Sequence, residues 1–184
     1  MKIKLVLLFA ALALMMGLTG CGRIDATPTG PTMGDRLVNN PGGFTFLSIP
    51  DYSLQVDGGA VMMLAPEADV NQGPAIMLMS AVDESLAGIK AVDELPLFLE
   101  GTPFDLGEVQ AITLNEMEGA IVDLTGAADG SGLVGRAAVV IPAPNRAFLM
   151  MGVAPAERWS ELEPYFEAVL NSLEFFNPQP ENTP

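Results

Sequence analysis

The sequence predicts an α+β fold: a single domain in which one antiparallel sheet of about six to eight strands is sandwiched by helices. Three observations carry this. Short apolar runs alternate with turn signals along most of the chain, and links that short favour antiparallel neighbours. The runs AIMLM (75–79), AAVVI (137–141) and FLMMGV (148–153) are apolar at consecutive positions, so both faces of those strands need cover. Two segments carry a helical pattern, and these supply the cover.

The first element is of another kind. Lys2 and Lys4 open the chain, Leu5 to Gly17 is apolar, and Leu18-Thr19-Gly20-Cys21 sets small residues just ahead of a thiol. Leu5 to Leu18 is 14 residues, well short of the roughly 20 that span a bilayer core. The pattern resembles the bacterial lipobox. That resemblance implies a signal peptide over residues 1–20, cleavage before Cys21 and acyl chains on its sulfur. Two acyl chains hold a protein stably, since each buried methylene contributes about 0.8 kcal/mol. The expected location is therefore the cell membrane or the outer membrane, lipid-anchored and facing the extracytoplasmic side. Gly22 stands where some inner-membrane retention signals carry Asp, so an outer-membrane destination is permitted. Cys21 is the only cysteine, and lipidation leaves none for a disulfide or a nucleophile.

Residues 21–43, with Pro28, Pro31, Pro41 and several Gly, Thr and Asn, read as a flexible tether. A coil of that length has an r.m.s. span of roughly 25 Å. The domain proper is expected over 44–176. Phe44 to Ile49 is a first strand ended by Pro50-Asp51, and Ser53 to Val56 with Ala60 to Leu64 form a hairpin about Asp57-Gly58-Gly59. Ala75 to Ser80 follows. Asp93 is the expected cap of a helix through Leu99 or Glu100, with Leu95, Phe98 and Leu99 on one face. Strands follow at Glu108 to Leu114, Ala120 to Thr125, Leu133 to Ile141 and Ala147 to Val153. Phe166, Val169, Leu170 and Leu173 place a second helix over Pro164 to Glu174, unless Pro164 kinks a longer one containing Trp159 and Leu162. Phe175-Phe176 make a last packing segment, and 177–184, with three prolines, should fray.

The opening GFTFLSIPDYSL (43–54) and the closing RWSELEPYFEAVLNSLEFF (158–176) resemble the first strand and final helix of PsbP-like domains. The superfamily includes a photosystem II extrinsic subunit and bacterial lipoproteins. The resemblance spans about residues 43–176 and implies an α/β/α sandwich. It supplies no active site to carry over.

Charge and composition then narrow the function. The net charge of −15 becomes −17 once Lys2 and Lys4 are removed. Such a surface repels phosphate backbones and anionic headgroups, so nucleic-acid binding is excluded and the acyl anchor alone must hold the membrane. Histidine is absent, which removes Ser-His-Asp and Cys-His catalysis and imidazole metal sites. No phosphate-binding glycine loop is present, and Asp129-Gly130-Ser131-Gly132 lacks the spacing of a calcium loop. No catalytic, cofactor-binding or metal-binding residue is assigned, and no enzyme activity is expected. Met62, Met63, Met77, Met79, Met150 and Met151 fall on expected strands; thioethers can bind Cu(I), but methionine is also a common core filler, and core is the simpler reading. The expected function is a protein-interaction or assembly module in the cell envelope with an unidentified protein partner. The alternative is a carrier of a small apolar ligand. A carrier needs an internal cavity, whereas an interaction module needs exposed apolar surface.

Overall fold

The computed structural model describes residues 30–69, 73–126 and 132–179. Cys21, most of the Asp129–Gly132 turn and the end of the tail lie outside them.

The elements run β1 (Arg36–Asn39), β2 (Phe44–Leu47), β3 (Ser53–Asp57), β4 (Ala60–Asp69), β5 (Gly73–Val82), α1 (Ala91–Phe98), β6 (Phe104–Leu106), β7 (Gln110–Leu114), β8 (Met117–Gly126), β9 (Leu133–Ala143), β10 (Arg146–Pro155), α2 (Trp159–Asn171) and β11 (Glu174–Phe175). Eight strands form one antiparallel sheet in the order β3-β4-β5-β10-β9-β8-β6, with β7 on the same side of β8 as β6. A smaller sheet has the order β1-β2-β11.

The large sheet is covered on both faces, as the unbroken apolar runs require. On one face Phe148 and Met150 of β10, Ala138 and Val140 of β9, and Ile76 and Leu78 of β5 meet Phe166, Val169 and Leu170 of α2 and Phe44 and Phe46 of β2. On the other face Leu149, Ala137, Val139, Val122 and Leu124 meet Ala91 and Leu95 of α1. One cover is thus a helix with Leu86 of the segment before it, and the opposite cover is a helix flanked by the small sheet.

Gly152 shows how close that packing is. A Cβ there would lie 2.7 Å from Cδ2 of the Phe166 ring, and that ring is fully buried. Glycine in mid-strand lets α2 settle onto β10.

Several boundaries differ from expectation. The tether assigned to 21–43 overlaps the fold, because Arg36–Asn39 pairs with Phe44–Leu47 around a tight turn. Hydrogen bonds between Gly34 N and Ser48 O at 2.8 Å, and Ser48 N and Asp35 O at 2.9 Å, carry order further back. The first helix is capped at Lys90, not Asp93, and Lys90 offers no side-chain bond to the turn. Its first amide, Ala91 N, instead donates to the Glu118 carboxylate of β8 at 3.0 Å, a distant partner no local rule could find. Asp93 and Glu94 sit in the first turn and Pro96 inside the helix. The second helix is the longer of the two expected forms, with Pro164 inside it, and ends at Asn171. Leu173 lies beyond the helix yet is fully buried. The turn between the strands expected at Glu108 to Leu114 and Ala120 to Thr125 is short: Asn115 and Glu116 alone take positive φ there, 48° and 68°, the backbone of a two-residue hairpin loop. The expected tail is docked at its start, where Gln179 N donates to Asn40 O at 2.9 Å.

Candidate functional site

β1 and β3 are the terminal strands of their sheets, and Asn39 sets them side by side. Its Oδ1 accepts from Gly42 N at 2.6 Å within the β1–β2 turn, and its Nδ2 donates to Gly58 O at 3.0 Å in the β3–β4 turn. Between the two strands runs a groove of about 210 Å³. Leu37, Val38, Leu54 and Val56 form its sides, and Phe46 and Val61 lie at its base. Val56 is 66% exposed, Val38 59% and Leu54 43%.

The register explains why these side chains converge. Leu54 pairs with Met63 and Val56 with Val61 across β3–β4, so they project on the α2 side of the sheet. That cover ends before it reaches β3, all five residues of which are exposed. Folded proteins usually guard such an edge with lysine, proline or an inward charge. β3 has the sequence SLQVD, with one charge at its end and an unguarded middle.

Two other clefts contain charge. In one, of about 260 Å³, Arg136 of β9 meets Asp123 at 2.7 Å, Glu167 at 2.7 Å and Glu163 at 3.1 Å. Burial disfavours this guanidinium, but the bonds to Asp123 and Glu167 and the charges of Asp123 and Glu163 outweigh it and raise its pKa. The group ties α2 to the sheet and leaves those carboxylates engaged. The second cleft, of about 430 Å³, is bounded by Val82, Asn145, Phe175 and Pro178, with Arg146 in its wall.

Arg146 is a buried cation, 5% exposed. Its guanidinium donates to the carbonyls of Gly42, Gly43 and Phe176 and to Ser80 Oγ, and stands over the Phe175 ring at 5.6 Å. Burial lowers its pKa. One side chain thereby joins β5, the β1–β2 turn and the segment after β11. Gly43 makes this possible, with φ at 65°, and a Cβ there would lie 2.5 Å from Phe176 O.

The methionines divide between the faces. Met63 and Met150 are fully buried in the α2-side core, as core fillers should be, while Met62, Met77, Met79 and Met151 are partly exposed. Among the described residues no helix is long and apolar enough to cross a membrane, and no group of three His, Cys, Asp or Glu is placed to hold a metal. The groove and both arginine clusters escaped the sequence reading. The signals were Leu37-Val38 inside a polar stretch and Arg146 directly before AFLMM.

No family model and no curated protein matches the chain. Among solved structures, the cyanobacterial PsbP (CyanoP) of Synechocystis sp. PCC 6803 superposes with a TM-score of 0.60 at 15% identity, covering 86% of this chain and 99% of that one. The fold is PsbP-like. PA94 of Pseudomonas aeruginosa, a protein of unknown function, gives a TM-score of 0.43 at 14% identity over 70% of this chain and 98% of its own. The PsbP-like sandwich fixes the architecture, and the groove, the charge clusters and the methionines are features of this chain's own residues.

Proposed function

We propose that the protein is a non-enzymatic, lipid-anchored extracytoplasmic module, held by acyl chains on Cys21, whose β1/β3 groove receives an extended apolar segment of an envelope protein. The exposed Val38, Leu54 and Val56 beside an unguarded strand edge carry this reading. A segment added along β3 satisfies free backbone groups while its alternate side chains enter the groove, the usual economy of strand addition. The net charge of −15 favours a partner with basic flanks. The apolar-ligand carrier is less well supported, because the apolar groove's 210 Å³ falls below the roughly 300 Å³ at which small-molecule pockets begin, and the larger cleft of about 430 Å³ has the Arg146 guanidinium in its wall. The absence of histidine supports the non-enzymatic part of the reading.

The test uses the full chain in its native envelope with a photo-crosslinking residue at Val56. The control is Leu97 of α1, equally exposed at 61% but remote from the groove. A discrete adduct from Val56 and none from Leu97 is expected; equal labelling, or none at Val56, refutes the groove. In parallel, Cys21→Ser should abolish incorporation of a fatty-acid probe, and continued labelling refutes the anchor.

A further inference from the structure

The α1 face of the sheet is only partly roofed. α1 lies over β8 and β9, where it packs on Val122, Leu124, Ala137 and Val139, and Leu86 just before it packs toward β10; the cover thins toward β4 and β5, where Met62 and Met77 are partly exposed. On that side, four positions of the face are methionine. Met62 of β4 stands directly opposite Met77 of β5, and Met77 directly opposite Met151 of β10. Directly opposed residues point to the same face, with Cβ atoms about 4.5–5.5 Å apart. Met79 follows two positions along β5 and so projects the same way. Met77 thus has a methionine on the strand at either side and another further along its own strand. All four are partly exposed, although Met79 and Met151 also touch the α1-side core.

Where the same face is fully covered its positions carry branched side chains such as Leu149 and Val139, and the methionines fall where the cover thins. What the thioethers add is a cluster of neutral, polarisable sulfur donors on side chains with three rotatable bonds. The register places the Met77 side chain between those of Met62 and Met151, with Met79 two positions along the same strand.

We propose that Met62, Met77, Met79 and Met151 form a binding site for a soft monovalent cation, Cu(I). Thioethers select Cu(I) over the divalent metals, which prefer nitrogen and oxygen ligands. The donors are uncharged at every pH, so the site needs no deprotonation to bind. Asp57 of β3 projects to the same face, opposite Ala60, which is in turn opposite Met79. The net charge of −15 adds a further attraction for a cation.

The experiment uses the full-length chain carrying Cys21→Ser, so that the chain's one thiol contributes nothing. It is titrated anaerobically with Cu(I) against bicinchoninate. One Cu(I) per chain should transfer from the competitor, and the methyl ¹³C resonances of Met62, Met77, Met79 and Met151 should move while those of Met63 and Met150 stay. Met77→Leu should weaken binding roughly tenfold or more, since even an outer partner of a metal ligand is worth that much. Met150→Leu, a similar swap on the far face, should leave it unchanged. Leucine for methionine keeps the volume, and Met62→Leu replaces Met77→Leu if thermal unfolding shows the latter to be destabilised. Failure of Cu(I) to transfer, binding unaltered in Met77→Leu, or equal loss in Met150→Leu overturns the site.

Discussion

Replacing Arg146 by methionine removes a group that the fold nearly encloses. The side chain is 5% exposed and donates to Phe176 O at 2.7 Å, Gly43 O at 2.8 Å, Ser80 Oγ at 3.0 Å and Gly42 O. Methionine fills most of the volume but leaves the Gly42 and Phe176 carbonyls without this donor, while Gly43 O keeps the Phe176 amide at 2.8 Å. Each buried acceptor so stranded costs about 1–3 kcal/mol. The cleft of about 430 Å³ beside the group admits water to some of them and reduces the total. The expected loss is about 3–4 kcal/mol, in the range found when a buried charge network is broken. Urea unfolding followed by the fluorescence of Trp159, the sole tryptophan, reads it directly. With a slope of about 2 kcal/mol/M, the midpoint should fall by roughly 1.5–2 M. Arg146→Lys keeps the charge but cannot span the same acceptors, and should be intermediate. A loss below about 1 kcal/mol for methionine, or a lysine variant as stable as the parent, would refute the idea that this guanidinium clamps the C-terminal segment to the β1–β2 turn.

Two further substitutions or titrations probe other contacts. Gly152→Ala should cost about 1–3 kcal/mol by overpacking, because its Cβ would meet the Phe166 ring at 2.7 Å; in a double-mutant cycle with Phe166→Leu the two losses should be less than additive, and additivity counts against the contact. The Asp83 carboxylate accepts from Ser85 N at 2.8 Å, which holds its pKa below the ordinary 3.8. Its folded value is the depressed one, so its contribution is present above the free value and fades only as pH falls through the folded one. An NMR titration that places Asp83 at or above 3.8 would remove that bond from the account of the turn.

The layered architecture was legible because its causes are local. Runs such as AAVVI demanded two covered faces, and the i, i+3, i+4, i+7 spacing of Phe166, Val169, Leu170 and Leu173 marked the face that covers one of them. The turn at Asp57-Gly58-Gly59 set the β3–β4 register for the same reason: Gly58 takes φ of 51°, which its sequence neighbourhood anticipates. Lipidation is legible only as a motif, and Leu18-Thr19-Gly20-Cys21 lies outside the described residues.

What escaped the sequence depends on partners far along the chain. Arg36–Asn39 reads as linker because a four-residue strand is marginal alone, and only pairing with Phe44–Leu47 makes it an edge. The cap of α1 comes from Glu118, 27 residues beyond the amide that it serves. Arg146 sits next to a turn and would pass for a solvated charge, yet its acceptors lie 30 to 104 residues away in the chain. Sequence alone determined the strand order of polarity, the helical faces and the acidic surface, since those follow from spacing and composition. Only the tertiary structure decided which methionines share a face with water and which edges stand open, because burial and register belong to pairs of segments and to no segment by itself.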